Sequence, residues 1–142
     1  MSKIAVVYWS GTGNTEAMAS SVAAGAAAAG AQAEVFPCGE FDAAKAAGYD
    51  AIAFGCPAMG AEELEADEFE PLYESCRGAI RGKRVGLFGS YGWGDGEWMR
   101  NWEASVRAAG AVLAAPGVIC CDAPDAEAAA GCEALGRLLA EG

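Results

Sequence analysis

The sequence of 142 residues contains no histidine. Nucleophile pairs in which an imidazole activates a serine or a cysteine are therefore excluded. The six cysteines do not show the paired spacing that zinc and iron–sulfur sites use. We therefore expect no metal site, and we expect most of the cysteines, Cys120 and Cys121 among them, to pack as small apolar residues of the core.

Positive charge is also scarce, with nine Lys and Arg against twenty Asp and Glu and a net charge of −11. This balance argues against nucleic acid and anionic membranes as partners. Apolar runs of membrane-spanning length and a signal-peptide pattern are both missing, so we expect a soluble cytoplasmic protein. The length predicts one domain over residues 1–142.

The segment at residues 4–15 carries the most informative motif. An apolar run ends at Trp9, a short loop of small and hydroxylated residues follows, and a helical pattern begins near Asn14. A strand, a tight loop and a helix N-terminus together aim unpaired backbone N–H groups at one point. Side chains of the loop add donors, and the loop contains no Lys or Arg. The motif predicts a phosphate site built from neutral dipoles.

Two better-known phosphate loops do not fit this segment. The nucleoside-triphosphate loop needs a Lys after its last Gly, and no Lys lies between Lys3 and Lys45. The dinucleotide fingerprint needs a third Gly where this chain has Glu16. A single terminal phosphate is therefore favoured over a pyrophosphate, and a glycine-rich turn with no ligand remains the alternative.

Strand-like and helix-like segments alternate along the chain. Strands are predicted at 3–9, 32–36, 51–55 and 84–89 and in two pieces within 112–121, and helices at 14–29, 42–47, 62–78, 95–109 and 125–140. Strands that are apolar throughout are covered on both faces, so we predict a three-layer α/β sandwich with a parallel sheet. The loops at 10–15, 56–62 and 90–98 follow strand ends and should converge on one site.

The loop at 90–98 interleaves glycines with Tyr91, Trp93 and Trp98. Glycine allows close approach of a flat ligand, and an exposed aromatic ring can stack on it. A phosphate site beside aromatic residues predicts flavin mononucleotide (FMN), with its ring between Met59 and Trp93. The alternative is that the aromatic residues, Tyr91 and Trp98 above all, only cover the end of the sheet.

Four stretches carry a family resemblance: Tyr-Trp-Ser-Gly-Thr-Gly-Asn-Thr at 8–15, Gly-Cys-Pro-Ala-Met-Gly at 55–60, Glu-Phe-Glu-Pro at 68–71, and Leu-Phe-Gly-Ser-Tyr-Gly-Trp-Gly-Asp-Gly-Glu-Trp-Met-Arg at 87–100. With them the sequence resembles the short-chain flavodoxins of clostridia and related anaerobic bacteria. The resemblance implies a flavodoxin-like fold with a five-stranded parallel sheet. It also implies non-covalent FMN and a low-potential one-electron carrier that passes between semiquinone and hydroquinone for redox partner proteins.

The resemblance also assigns cofactor contacts by position. It implies that the phosphate is bound by the loop Ser10, Gly11, Thr12, Gly13, Asn14 and Thr15. It implies ring contacts from Met59, Trp93 and Glu62, the last to the ring N3–H, and further ring or ribityl contacts from Ser90, Gly92, Trp98 and Asp122. The candidate set is completed by Pro57, Ala58, Gly60, Ala61, Tyr91 and Gly94. Ala61 and Pro57 replace polar residues of some relatives, so we expect effects on semiquinone stability and phosphate affinity.

Two further expectations concern electron transfer. We expect the Gly60–Ala61 peptide to reverse on reduction, so that the Gly60 carbonyl accepts a hydrogen bond from the flavin N5–H. Seven carboxylates lie within residues 62–74 without a basic residue among them, and they form either a solvated helix face or a docking surface for redox partners of a monomeric protein. Two alternatives remain: a flavin-dependent quinone reductase or nitroreductase, and a flavin-free module of similar topology.

Overall fold

The computed structural model describes residues 2–59, 63–92 and 94–141. Its strands are β1 (Lys3–Tyr8), β2 (Gln32–Pro37), β3 (Ala51–Gly55), β4 (Arg84–Tyr91), β5 (Val112–Leu113) and β6 (Val118–Cys121). Its helices are α1 (Asn14–Ala28), α2 (Ala43–Ala46), α3 (Phe69–Cys76), α4 (Glu97–Ala108) and α5 (Ala126–Glu141), with a 3₁₀ turn at Cys38–Glu40.

The strands form one parallel sheet in the order β2-β1-β3-β4, with β5 and β6 both beside β4. β5 pairs with the start of β4 and β6 with its end, so the two short strands share the fifth position of the sheet. Pro116, which cannot donate to a strand ladder, lies between them. The predicted five-stranded parallel sheet is therefore confirmed, with its last strand in two pieces.

Helices cover both faces of the sheet, and alternate residues of each strand face different layers. In β1, Ile4 and Val6 pack with α1 and α5, whereas Ala5 and Val7 pack with α3 and α4. All five residues of β3 are buried, as a strand covered on both faces requires. The predicted three-layer α/β sandwich is confirmed.

The predicted acidic helix is shorter than expected. α3 begins at Phe69 instead of near residue 62, because Glu63 pairs with Met59 in an antiparallel bridge and the chain turns at 66–68. β4 continues beyond Gly89, so Ser90 and Tyr91 are strand residues. The predicted cap of α5 is confirmed, since the Asp125 carboxylate accepts from the Ala128 N–H at 2.8 Å.

The cysteines divide into two groups. Cys38, Cys56, Cys76 and Cys132 are buried, as predicted, but Cys120 is half-buried and Cys121 is exposed. The prediction of core packing was therefore wrong for Cys121. Side chains alternate along β6, and this edge strand turns Cys120 toward the α1–α5 layer and Cys121 toward the less covered face.

Neither a helix that could cross a membrane nor a group of metal ligands occurs among the described residues. Within 2–59, 63–92 and 94–141, none of the helices has the length and hydrophobicity needed to cross a membrane. In the same ranges, the acidic residues and cysteines form no group that could hold a metal ion.

Helices α1 and α5 approach each other closely through two glycines. A Cβ atom on Gly136 would lie 2.0 Å from the Val22 carbonyl oxygen, and one on Gly25 would lie 2.0 Å from the Glu133 carbonyl oxygen. Both contacts are with backbone, which cannot rotate away. The two glycines therefore set the distance between the helices of this layer, and α1 carries the predicted phosphate loop at its start.

We predict that Gly136→Ala lowers the free energy of unfolding by about 1–3 kcal/mol, because the added methyl group forces the helices apart. Gly131→Ala on the same helix is the control, since its Cβ meets only a Val118 methyl group at 3.3 Å. Urea unfolding followed by circular dichroism provides the measurement. Equal stabilities of the two variants would contradict the close helix contact.

Candidate functional site

Residues from the three predicted loops line one cleft at the carboxyl ends of the strands. The cleft has a volume of about 260 Å³. Its walls come from the loop after β1, the loop after β3, the end of β4 and the turn after β6: Trp9, Gly11, Thr12, Asn14, Pro57, Ala58, Met59, Ser90, Tyr91, Gly92 and Asp122. The expectation that the loops converge is confirmed.

The remaining candidate residues do not line this cleft or are not described. Gly13 precedes the first turn of α1, Ser10 lines a neighbouring cleft, and Thr15 and Trp98 are buried. Gly94 has a positive φ of 93° in the turn before α4. Gly60, Ala61, Glu62 and Trp93 lie outside the described residues. The predicted peptide reversal at Gly60 and the ring contacts of Glu62 and Trp93 therefore stay predictions.

The loop after β1 satisfies part of its own backbone with its hydroxyl groups. The Gly13 N–H donates to Ser10 Oγ at 3.0 Å, and the Asn14 N–H donates to Thr12 Oγ1 at 3.4 Å. Gly13 caps α1 at a φ of 94°, where glycine carries no steric penalty. Ala17 is the first residue whose N–H donates a hydrogen bond within the helix. The N–H groups before it are the positive end of the helix dipole and face the loop.

A buried pair of hydroxyl groups joins this loop to β4. Thr15 and Ser90 are 1% and 5% exposed, and their Oγ atoms lie 3.4 Å apart. The pair connects the first turn of α1 to the strand end that lines the opposite wall. The structure thus shows that two predicted cofactor residues contact each other, and their cofactor contacts stay predictions.

The wall after β3 is held by backbone hydrogen bonds. The Ala58 N–H donates to the Ser90 carbonyl at 3.0 Å, and Met59 exchanges two hydrogen bonds with Glu63 at 2.8 and 3.0 Å. Met59 is 37% exposed, so its thioether is available to a ligand. Trp98 lies behind this wall, 2% exposed, and its indole N–H donates to the Cys56 carbonyl at 3.2 Å.

The turn after β6 completes the cleft. The Asp122 N–H donates to the Tyr91 carbonyl at 2.8 Å. Asp122 has a φ of 58°, the only positive value among the described residues other than glycine. Asp tolerates this left-handed conformation better than most residues. The turn keeps the carboxylate beside Gly92, where an added Cβ would lie 3.7 Å from Asp122 Oδ1.

Three residues of the site were missed by sequence reasoning. Trp9 lines the cleft, and its indole N–H donates to Glu68 Oε1 at 3.2 Å. Glu65 is a buried carboxylate next to the start of α3, and Cys56 accepts from the Glu65 N–H through its sulfur at 3.3 Å. The position of Trp9 directly after a strand was a usable signal. Nothing in the sequence separates Glu65 from the six other acids around it.

The pKa values of Cys56 and Glu65 shift in opposite directions. Desolvation raises the pKa of the Cys56 thiol to about 12. Desolvation also acts to raise the pKa of Glu65, but hydrogen bonds from the N–H groups of Phe69, Glu68 and Asp67 outweigh it and leave that pKa below its ordinary value. Glu65 is therefore ionised at neutral pH, and Cys56 is a protonated thiol.

Carboxylates surround a second cleft of about 470 Å³ beside the phosphate loop. Glu16, Glu40 and Glu68 line it with Tyr8 and Trp9, and the described lining includes no basic residue. Tyr8 donates to Glu16 at 3.0 Å, and its pKa is raised by desolvation and by that carboxylate. Lys3 and Arg84, in contrast, begin β1 and β4 at the other end of the sheet. A basic side chain also approaches this region, since Lys45 Nζ donates to the Glu40 carbonyl at 2.7 Å.

Comparison with known proteins gives one consistent result. A family model described as flavodoxin matches residues 6–135. The flavodoxin of Megasphaera elsdenii is 46% identical over 116 residues, 82% of this chain and 85% of that protein. The flavodoxin of Clostridium beijerinckii is 42% identical over 135 residues, 95% of this chain and 97% of that protein. The solution structure of two-electron reduced Megasphaera elsdenii flavodoxin superposes with a TM-score of 0.91 at 44% identity, covering 98% and 99% of the two chains.

The fold and the cleft define the class of FMN-binding electron carriers, which are not enzymes. The chain belongs to the flavodoxin family. The residues present fit the cofactor, because the loop after β1 offers N–H and hydroxyl groups but no charged donor, and Met59 and Tyr91 offer apolar surface for a ring. The quinone reductase and the flavin-free module are not favoured by these findings.

Thiol exposure around the site predicts selective labelling. At pH 8 and before unfolding, we expect an aromatic disulfide reagent to modify Cys121 rapidly, because it is exposed. Cys132 should react only on unfolding, since desolvation raises the pKa of its buried thiol to about 12. Peptide mass spectrometry identifies the modified residue. Cys121→Ser should remove the rapid phase, and a rapid phase that survives this substitution would contradict the assignment.

Proposed function

We propose that the cleft between the loops after β1, β3 and β4 binds FMN with its phosphate at the start of α1, and that residues 1–142 act as one domain that carries single electrons at low potential. The observation that carries this proposal is the convergence of a neutral donor loop and an apolar wall at the same strand ends. FMN, when bound, supplies the capacity to accept and release one electron at a time. All other parts of the function come from the chain.

The loop after β1 has N–H groups that would bind a phosphate more strongly than they bind their present acceptors. Ser10 Oγ and Thr12 Oγ1 accept from Gly13 and Asn14 N–H groups, and a hydroxyl oxygen is a weaker acceptor than a phosphate oxygen. In the proposed complex the Gly13 and Asn14 N–H groups would donate to the phosphate, and the Ser10 and Thr12 hydroxyl groups would then be free to donate to it as well. The start of α1 adds its dipole.

The part of the cleft proposed to hold the flavin ring is apolar and has room for a flat ligand. Met59 provides a polarisable wall, and Tyr91 packs on the buried Trp98 with ring centroids 5.5 Å apart. Gly92 leaves the backbone open to a flat ligand beside Asp122. Trp93 and Glu62 are further ring-contacting residues of the proposal, on the strength of the family resemblance.

The charge around the cleft supports a low potential. Glu16, Glu68 and Asp122 lie on or next to its walls, and the phosphate adds negative charge of its own. Each electron added to a ring in this cleft is opposed by these charges, more strongly where water is excluded. The carboxylates thus favour electron donation by the reduced protein.

The same charges suit a docking surface for basic redox partners. Glu16, Glu40 and Glu68 line the cleft next to the proposed FMN site, and Asp122 lines the site itself. These carboxylates attract a positively charged partner and speed productive encounter at low salt. We propose a monomer that docks by this surface. Its six free cysteines agree with the reducing cytoplasm as its location.

A substitution in the loop after β1 distinguishes the contribution of the phosphate to binding from that of the flavin ring. We predict that Thr12→Val weakens FMN binding about tenfold to a hundredfold, because a hydrogen bond to a charged group contributes about 1.5–3 kcal/mol. Riboflavin, which has no phosphate, should bind the variant and the unchanged protein equally. Flavin fluorescence, quenched on binding, gives both dissociation constants.

Ser20→Ala is the matched control, since it removes an exposed hydroxyl group from α1 beyond the first turn. It should leave both dissociation constants unchanged. Equal weakening of FMN and riboflavin by Thr12→Val would contradict a phosphate site in this loop.

A further inference from the structure

We propose that Glu65 is a positioning residue that fixes two walls of the FMN cleft, Met59 through its backbone N–H and Trp9 through its buried carboxylate. This inference rests on the proposed FMN site and extends it to a residue that does not line the cleft. Glu65 is 7% exposed and is the only buried ionisable carboxylate of the described chain. Its bonds lead to both walls.

The carboxylate holds the start of α3. Glu65 Oε1 accepts from the Glu68 N–H at 2.7 Å and from the Phe69 N–H at 2.8 Å, and Oε2 accepts from the Asp67 N–H at 3.0 Å. Asp67 and Glu68 precede the helix and Phe69 begins it, so none of these three N–H groups has an intrahelical acceptor. One side chain therefore fixes the turn at 66–68 and the direction of α3.

The first connection leads to Met59. The Glu65 N–H donates to Cys56 Sγ at 3.3 Å, which fastens the returning chain to the end of β3. Two residues earlier, Glu63 exchanges backbone hydrogen bonds with Met59 at 2.8 and 3.0 Å. The position of Met59 in the cleft wall is thus fixed by a segment whose next anchor is Glu65.

The second connection leads to Trp9. The backbone of Glu68 is held by Glu65, and the side chain of Glu68 accepts from the Trp9 indole N–H at 3.2 Å. Glu68 itself is exposed, and its carbonyl also accepts from the Leu72 N–H at 3.4 Å. Trp9 lines the cleft. A shift at Glu65 is therefore transmitted to the opposite wall through Glu68.

The chemistry requires a carboxylate at this position. A glutamine has one acceptor oxygen and one NH₂ group, so one of the N–H donors now bound by Oε1 and Oε2 would face a second donor. Glu65→Gln keeps the size of the side chain and removes part of its acceptor capacity. It is accordingly the substitution that tests the bond pattern with the least change in packing.

The experiment compares Glu65→Gln with Asp42→Asn in the full-length protein. Asp42 is a second carboxylate that caps a helix, accepting from the Lys45 N–H at 2.8 Å, and it lies near Cys76 at the far end of α3. We expect Glu65→Gln to weaken FMN and riboflavin by the same factor, about tenfold, because the ring walls move while the phosphate loop stays intact. Asp42→Asn should change both dissociation constants less than twofold.

A milder pair of variants keeps the test valid if Glu65→Gln fails to fold. Glu68→Ala removes only the partner of Trp9, and Glu70→Ala removes an equal charge from the same exposed end of α3. Glu68→Ala should weaken FMN and riboflavin equally, by about threefold, and Glu70→Ala should leave both unchanged. Equal constants for the two variants would overturn the connection to Trp9.

The outcomes separate this inference from the proposed function. If Thr12→Val discriminates FMN from riboflavin as predicted, but Glu65→Gln behaves like Asp42→Asn, the positioning role of Glu65 is wrong and the cofactor site stands. If Glu65→Gln weakens FMN alone, Glu65 acts on the phosphate loop and the inference is wrong as well. If Thr12→Val fails to discriminate, the proposed site is at fault.

Discussion

The backbone N–H groups between β1 and α1 need acceptors, and the site depends on how the chain meets this need. A parallel strand that feeds a helix leaves the first donors of the helix without partners. Here Ser10 and Thr12 supply neutral oxygens, and Gly13 takes the left-handed conformation that lets the helix begin. These neutral acceptors form hydrogen bonds with the N–H groups of the loop without adding negative charge to it. A bound anion would be a stronger acceptor for the same N–H groups.

The rest of the fold brings other walls to this loop. The parallel order of β1, β3 and β4 puts their carboxyl ends at one edge, and the Thr15–Ser90 pair joins the loop to β4 across it. Glycines at the α1–α5 contact keep the helix that carries the loop close to α5. Glu16, Glu40 and Glu68 line a second cleft at the same edge. The proposed cofactor site and the proposed docking surface would both follow from this topology.

Much of this was accessible from the sequence, for identifiable reasons. β3 was predicted with its observed bounds because five apolar residues between Asp50 and Cys56 fit only a buried strand. The start of α3 was misplaced because residues 63–68 are helix-compatible in isolation, whereas the bridge from Glu63 to Met59 overrides that tendency. The exposure of Cys121 follows from its place on an edge strand, which composition does not reveal.

The sequence predicted most of the residues that line the cleft but not the contacts that hold them in place. Thr12, Met59 and Tyr91 were found because they belong to glycine-rich stretches at the ends of predicted strands, and the structure places them in one cleft. Trp9 and Glu65 were missed because their importance lies in contacts between segments distant in sequence, Trp9 with Glu68 and Glu65 with Cys56. Periodicity and motif spacing report local structure and do not carry such contacts.

The amide proton resonances of the loop after β1 test the central claim most directly. In the structure the Gly13 and Asn14 N–H groups donate to hydroxyl oxygens, and the test starts from the full-length protein freed of flavin. Added FMN should shift both resonances downfield as a phosphate replaces these acceptors, and added riboflavin should leave them in place while it shifts Met59 and Tyr91. Identical shifts of Gly13 and Asn14 with the two flavins would contradict the account.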